Sequence, residues 1–186
     1  MTITRRKIWT SAAAAPLLTS AMAGRSAPQR QKIVVTGGHP GDPECGCAGT
    51  IARYTALGND AVLLYMNRGE GFCSEADLSR CASIRTAEAM RACEILKARA
   101  AFAGQYDGRA IVDNSHYEEF AKILAAEKPD VVFTHWPVDA HRDHRAISML
   151  VFDAWLRWAS SSRCTITKSR AIHRCSMPRS MSISPA

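Results

Sequence analysis

The chain has 186 residues, of which 47% are hydrophobic and 22% charged. This composition is typical of a single folded domain and excludes both a disordered chain and a multi-span membrane protein. The net charge of +7 belongs to the two ends, because 14 of the 24 basic residues and all 17 acidic residues lie within 32–162, which carries −3. A basic face for nucleic acid is therefore not expected.

The N-terminal segment carries the features of an export signal in their usual order. Arg5 and Arg6 form a twin arginine, a modestly apolar stretch follows, and Ala-Met-Ala stands at 21–23. We predict a twin-arginine signal peptide over residues 1–27 and an exported protein, periplasmic or extracellular. The alternative is a frayed basic terminus or a short helix. No later stretch has the roughly 20 apolar residues of a membrane span, so no stable span is expected.

Strand and helix patterns alternate through the middle of the chain. We predict strands at 32–38, 61–67 and 130–136, a short one within 98–108, and helices at 45–57, 78–98, 115–129 and 145–158. Gly58 is expected to close the first helix, and Ser115 with Glu118 forms a candidate capping box for the third. This order predicts an α/β, Rossmann-like layered fold with a mostly parallel sheet, in which ligands bind at the C-terminal ends of the strands.

Histidines and carboxylates cluster after two of these strands. The first cluster is His39, Asp42 and Glu44, and the second is His135, His141, Asp143 and His144. Both clusters should meet at one edge of the sheet. Zinc and similar ions take imidazole and carboxylate ligands, and catalytic sites use three of them plus water. A shared metal site is favoured over isolated capping or core histidines.

Two other site types fit the sequence less well. TGGHPGD at 36–42 lacks the glycine order of a dinucleotide fingerprint, and the second strand ends in Asn67-Arg68 and not in an acid. The seven cysteines include no pair with zinc-finger spacing. Most of them are expected to be buried free thiols.

The motifs GGHPGDPE and HRDH, with NRGEG and RTAE between them, resemble the PIG-L (LmbE-like) deacetylases. These are metal-dependent amidases of N-acetylated sugars and related compounds. The resemblance covers about 32–158 and implies a deacetylase domain that hydrolyses an N-acyl amide of a small-molecule substrate. It implies His39, Asp42 and His144 as ligands of Zn²⁺ or another divalent metal.

The same resemblance implies roles for further residues. His141 would stabilise the oxyanion or protonate the amine, and Asp143 would orient a histidine. Arg68 and Glu70 would border the substrate pocket. A separate ion pair between Arg85 and Glu88, one helical turn apart, is expected from spacing alone.

Gly41 departs from the family pattern. The resembling proteins carry HPDD here, and the first aspartate is their presumed general base, a role that glycine cannot take. Glu44 is the obvious substitute. The alternative is a metal- or sugar-binding relative without turnover.

The C-terminal segment 159–186 departs as well. It is rich in serine, has no acidic residue and shows little apolar periodicity. It is either a disordered tail or the product of a frameshift, because a shifted reading of permissible codons gives a segment that looks like a C-terminal strand region of the family. In the second case the domain is truncated after about residue 158.

Overall fold

The computed structural model describes residues 30–73, 77–158 and 163–166. The predicted signal peptide, and the segment 159–186 except for 163–166, lie outside these residues. The described elements are β1 (Lys32–Gly37), α1 (Asp42–Ala56), β2 (Asp60–Tyr65), α2 (Leu78–Leu96), β3 (Arg99–Phe102), α3 (Asn114–Glu127), β4 (Val131–Thr134), α4 (Arg142–Trp158) and β5 (Arg163–Ile166). None of the helices in these ranges is long and apolar enough to cross a membrane.

All five strands pair in parallel, in the order β3-β2-β1-β4-β5. The chain moves outward from β1 to β3 and then returns to the other side of β1 for β4 and β5. Such a reversal opens a crevice at the C-terminal ends of the two central strands, here β1 and β4. The predicted α/β fold with a parallel sheet is confirmed, and β5 adds a strand within the segment that the sequence marks as atypical.

Strands β1, β2 and β4 are buried on both faces, which explains why they are continuous apolar runs. One face, with Val34 and Leu64, packs against α3 and α4. The other face, with Val35 and Leu63, packs against α1 and α2. Because the strands are parallel, their C-terminal ends and the loops that follow them lie at the same edge of the sheet.

Three helix starts differ from the prediction. The helix α1 begins at Asp42 and α4 at Arg142, each three residues earlier than expected, so most of HRDH lies in the first turn of α4 and not in a loop. The cap of α3 is Asp113, whose carboxylate accepts a hydrogen bond from the backbone N–H of His116. Ser115 is not the cap, because it already lies inside the helix, where its hydroxyl donates to Asp113.

The cysteines are more oxidised than predicted. Cys73 and Cys81 form a disulfide with their Cα atoms 5.8 Å apart, and Cys45 is also disulfide-bonded. Cys47 and Cys93 are buried and belong to no disulfide. The prediction of buried thiols outside disulfides is thus right for these two and wrong for the other three. For Cys73 and Cys81 the reason is that the chain after β2 folds back onto α2 and brings the two together.

Candidate metal centre

The turn between β1 and α1 is shaped by two glycines. A Cβ on Gly37 would lie 2.5 Å from Cδ of Pro43, and one on Gly38 would lie 3.0 Å from Cδ2 of His144. Only glycine therefore allows this turn to pack beneath both helices. Within it, the backbone N–H of His39 donates to Oδ2 of Asp42 at 2.9 Å, which brings the first two predicted ligands together.

The carboxylate of Asp42 is the meeting point of three imidazoles. Its Oδ2 lies 3.2 Å from Nδ1 of His39, 3.1 Å from Nε2 of His144 and 3.5 Å from Nε2 of His135. Burial alone would raise the pKa of Asp42, but its contacts with His135, His144 and His39 hold that pKa well below its usual range. Asp42 is therefore a buried carboxylate anion at the start of α1.

His39 lies among three carboxylates. Its Nδ1 faces Asp42, and its Nε2 is 3.0 Å from Oδ1 of Asp107 and 3.3 Å from Oδ2 of Asp143. Burial would lower the pKa of His39, but hydrogen bonds with Asp107, Asp143 and Asp42 raise it to about 11. A ligating histidine commonly binds the ion through one ring nitrogen and a carboxylate through the other. In His39, Asp107 and Asp143 contact Nε2, so Nδ1, on the side of Asp42, is the nitrogen that could bind an ion.

His144 has one ring nitrogen supported and one left open. Its Nδ1 is 3.2 Å from Oδ1 of Asp139. Its buried Nε2 approaches Asp42 but makes no hydrogen bond within the described part of the chain. The ring of His135 stacks on it with centroids 4.0 Å apart. An imidazole nitrogen that makes no hydrogen bond and lies beside a buried carboxylate could bind a metal ion together with that carboxylate.

His141 lies at the start of α4, beside the two histidines that are predicted as ligands. Its ring centroid lies 4.6 Å from that of His39 and 4.8 Å from that of His144. Its Nδ1 accepts the backbone N–H of Asp143, so a neutral ring carries its proton on Nε2. Burial and the neighbouring charges of His39 and His144 lower the pKa of His141. The geometry therefore provides a neutral donor.

Asp143 is fully buried and is fixed from three sides. Its Oδ2 accepts the backbone N–H of Gly108 at 2.7 Å and the side-chain amide of Asn67 at 3.2 Å. The same oxygen faces Nε2 of His39. The histidine that Asp143 contacts through its side chain is thus His39.

The described residues contain three overlapping sets of candidate ligand atoms within 4.8 Å of one another. The sets are His39, His141 and His144; Asp42, His135 and His144; and His39, Asp107 and Asp143. No single set contains all three predicted ligands, but His39 and His144 both contact the carboxylate of Asp42. Imidazole nitrogens and carboxylate oxygens suit zinc and related ions. Three carboxylates contact the ring of His39, and a divalent cation that replaces the ring proton would balance their negative charge, so the residues fit such an ion.

Glu44 is not brought to this cluster. Its Oε1 accepts the Tyr65 hydroxyl at 2.6 Å and its Oε2 accepts the backbone N–H of Gly41 at 3.1 Å. Burial raises the pKa of Glu44. As the third residue of α1, it folds back over the start of its own helix, which is the usual geometry of a capping box. The structure therefore gives Glu44 a capping role and does not place it as a base.

Arg68 and Glu70 lie at the same edge of the sheet but outside the three sets. The guanidinium of Arg68 is exposed and lies 5.6 Å from the ring centroid of Phe102. Glu70 accepts a hydrogen bond from the backbone N–H of Arg68. This position is compatible with the predicted border of a substrate pocket, and neither side chain has a described contact with the histidine cluster.

Arg85, the predicted partner of Glu88, also contacts the turn between β1 and α1. Arg85 pairs with Glu88 at 2.5 Å, as expected, and also donates to the carbonyl oxygen of Pro40 in the β1–α1 turn. This arginine therefore connects α2 with the turn that carries His39.

Three residues of the cluster were not assigned to the site by sequence, namely Asn67, Asp107 and Asp139, and His135 was predicted in the second cluster without a role of its own. Asn67 and His135 directly follow buried strands, and this position is a usable signal. Asp139 lies two residues before His141, with no motif of its own. Asp107 follows the short strand β3, and nothing in its sequence context indicates a site.

Comparisons with known proteins identify several solved structures of similar fold. The chain is similar to the conserved protein TT1542 of Thermus thermophilus, with 29% identity, a TM-score of 0.61 and coverage of 74% of this chain and 60% of that one. It is similar to the 4-carboxy-2-hydroxymuconate hydratase GalB of Pseudomonas putida, with 23% identity, a TM-score of 0.62 and coverage of 68% and 56%. It is also similar to the N,N'-diacetylchitobiose deacetylase of Pyrococcus horikoshii, with 20% identity, a TM-score of 0.69 and coverage of 81% and 72%.

The chain thus spans less than two thirds of the length of the first two proteins, and the last two likenesses show the fold alone. The sequence model of the PIG-L family, described as GlcNAc-PI de-N-acetylase, matches residues 34–155. This match covers both strand ends of the cluster and well over half of the chain, and the chain belongs to the PIG-L family.

Proposed function

We propose that this protein is a metal-dependent deacetylase that hydrolyses the N-acyl amide of an N-acetylated amino sugar or a related small compound. The observation that carries the proposal is the convergence of His39 and His144 on Oδ2 of Asp42, at 3.2 and 3.1 Å. These residues come from the ends of two different strands, and Nε2 of His144 has no hydrogen bond in the described part of the chain.

The residues that would hold the ion are His39 through Nδ1, Asp42 through Oδ2 and His144 through Nε2. Zn²⁺ or another divalent ion would supply Lewis acidity, which polarises a carbonyl and favours ionisation of water near neutral pH. Asp143 and Asp107 orient His39 from behind, and Asp139 orients His144.

His141 supplies the proton donor of the proposed reaction. With Nδ1 occupied by the backbone of Asp143, its Nε2–H is available to donate to the carbonyl oxygen of the amide or to the departing nitrogen. Hydrolysis forms a C–O bond, breaks the C–N bond and leaves a carboxylate and an amine. Preorganised donors of this kind are typically worth about 10²- to 10³-fold in rate.

A second candidate function is supported by one observation. Gly41 carries no carboxylate, and both oxygens of Glu44 are engaged as acceptors by Tyr65 and Gly41. A relative that binds metal or sugar without turnover would keep the cluster and lack the base. Assays on N-acetylglucosamine conjugates with added zinc separate the two candidates, since only the first releases acetate.

The metal centre is tested with His144→Ala. The variant should lose about one equivalent of bound zinc and the thermal stabilisation that zinc provides. His116→Ala is the matched control, because His116 lies in α3 and pairs with Asp113 away from the cluster. Retention of zinc by His144→Ala at the level of the control would show that the ligand assignment is wrong.

A further inference from the structure

The chain after β2 is tied to α2 by a disulfide. Residues 69–73, called here the 69–73 loop, contain the 3₁₀ turn Glu70–Phe72 and end at Cys73. Cys73 is bonded to Cys81, which is buried in α2 and whose Sγ lies 3.6 Å from the carbonyl oxygen of Gly69. The loop is therefore bonded covalently to α2 at its C-terminal end and touches α2 at its N-terminal end.

The 69–73 loop in turn sets the position of Asp107. The backbone N–H of Gly71 donates to Oδ2 of Asp107 at 3.0 Å. A Cβ at position 71 would lie 3.1 Å from the same oxygen, so a larger residue would push the carboxylate away. Contact this close means that a displacement of the loop displaces Asp107.

Asp107 connects the loop to the metal centre. Its other oxygen, Oδ1, lies 3.0 Å from Nε2 of His39, on the ring nitrogen opposite to the one that faces Asp42. A parallel route runs through Arg85, whose guanidinium lies 5.2 Å from the ring centroid of Phe72 and donates to the carbonyl oxygen of Pro40. Both routes end on the turn that carries His39.

We propose that the Cys73–Cys81 disulfide regulates the metal centre by holding the 69–73 loop and, through it, the positioning residue Asp107 on His39. The proposal rests on the deacetylase function proposed above. Reduction of the bond adds two electrons and two protons and leaves two thiols, while a dithiol reductant is oxidised to its own disulfide. The freed loop then supports Asp107 less well, and the affinity of the centre for its ion falls.

The first measurement is the zinc affinity of the purified chain, read by competition with a chromogenic chelator. The variants are Asp107→Asn, Gly71→Ala and the double variant Cys73→Ser/Cys81→Ser. Loss of a residue that orients a metal ligand typically lowers metal affinity about 10- to 100-fold, and each variant should fall in this range. Gly71→Ala leaves the disulfide intact, so it tests the link even if the double variant unfolds.

Additivity tests whether the disulfide acts through Asp107. Combining Asp107→Asn with Cys73→Ser/Cys81→Ser should weaken zinc binding by less than the sum of the two separate losses, because both changes remove the support through Asp107 and only the route through Arg85 remains. Additive losses would overturn the proposed route. Parent-level affinity in the folded double-cysteine variant, or in Asp107→Asn, would overturn the proposal itself.

Reduction provides the regulatory test. The parent chain, treated with a phosphine and then exchanged into reductant-free buffer under nitrogen, should lose zinc affinity to the level of the double-cysteine variant. The same treatment of that variant is the control for the disulfide at Cys45, and an equal further loss there would overturn the proposal. A parent that binds no zinc overturns the metal centre together with this proposal, whereas a parent that binds zinc equally well before and after reduction overturns this proposal alone.

Discussion

Oε1 of Glu44 accepts the hydroxyl of Tyr65 at 2.6 Å, and its Oε2 accepts the backbone N–H of Gly41. This pair joins the first turn of α1 to the last residue of β2. It also directs the one carboxylate that the sequence offers as a replacement base toward the helix cap, where both of its oxygens accept hydrogen bonds. This chain therefore keeps the predicted metal ligands of the family pattern, but no carboxylate takes the place of its proton-accepting residue at position 41.

Glu44→Gln should act on stability and not on catalysis. It weakens a largely buried hydrogen bond to a charged group, which is worth about 1.5–3 kcal/mol of unfolding free energy. Hydrolysis should fall far less than the roughly 10²- to 10⁴-fold that removal of a general base causes. Urea unfolding and acetate release measure the two effects.

Tyr65→Phe is the matched partner of this variant. It removes the other end of the same hydrogen bond, and its effect on unfolding free energy should not add to that of Glu44→Gln. Loss of hydrolysis in Glu44→Gln with unchanged stability would contradict the capping role and restore Glu44 as the base.

Glu127 should make stability depend on pH. It ends α3 and pairs with Lys32 at the start of β1 and with Arg99 at the start of β3. Burial would raise the pKa of Glu127, but Arg99 and Lys32 lower it below 4.5. Because the folded pKa lies below the unfolded value, the stabilisation is present above pH 4.5 and is lost as the pH falls through the folded pKa.

Glu127→Gln should therefore lower the unfolding free energy near pH 7 by about 1–2 kcal/mol and have little effect below the folded pKa. Glu94→Gln is the control, because Glu94 forms a mostly exposed pair with Arg91, and such pairs contribute about 0–1 kcal/mol. A deficit of Glu127→Gln that stays constant down to about pH 2 would show that the carboxylate charge is not the cause.

The strands and the two histidine clusters could be predicted because their signals are local. Continuous apolar runs mark strands buried on both faces, and the polar residues directly after them mark the C-terminal edge. The predicted start of α4 was three residues late, since Arg142, Asp143 and His144 give no apolar periodicity although they lie in its first turn.

The supporting contacts of Asp107 and Asp139 could not be predicted, for a different reason. Asp107 reaches His39 only because the loop after β3 folds over the 69–73 loop, and this contact depends on tertiary packing. Glu44 is close to Asp42 in sequence, but its side-chain direction is set by where α1 begins. Its nearness to Asp42 in sequence therefore did not predict which atoms its carboxylate contacts.

Export remains a proposal that the twin arginine and the oxidised cysteines support. Disulfides such as Cys73–Cys81 persist mainly in oxidising compartments. Changing Arg5 and Arg6 to lysine should leave uncleaved precursor in the cytoplasm, whereas the parent should be cleaved near Ala23 and recovered outside it. Cell fractionation with an antibody measures both, and normal export of the double-lysine variant would mean the general secretory route or no signal.

Gly41→Asp tests whether the family's missing carboxylate limits the reaction. Gly41 caps α1 at φ +104°, a conformation that L residues rarely adopt, so substitution should cost about 1–3 kcal/mol of unfolding free energy. The space itself is available, because the nearest atom to an added Cβ is Nη2 of Arg85 at 3.5 Å. That guanidinium would also favour the ionised form of the new side chain.

Gly41→Asn is the matched control for this substitution, since it carries the same backbone cost and nearly the same shape without the charge. If only the base is lacking, Gly41→Asp with zinc bound should release acetate from N-acetylglucosamine conjugates about 10²- to 10⁴-fold faster than Gly41→Asn, which corresponds to about 3–5 kcal/mol of barrier. Urea unfolding of both variants confirms that they are compared as folded proteins. Equal rates in two folded, zinc-loaded variants would mean that a carboxylate at position 41 is not what limits hydrolysis, and the binding-only function would then be favoured.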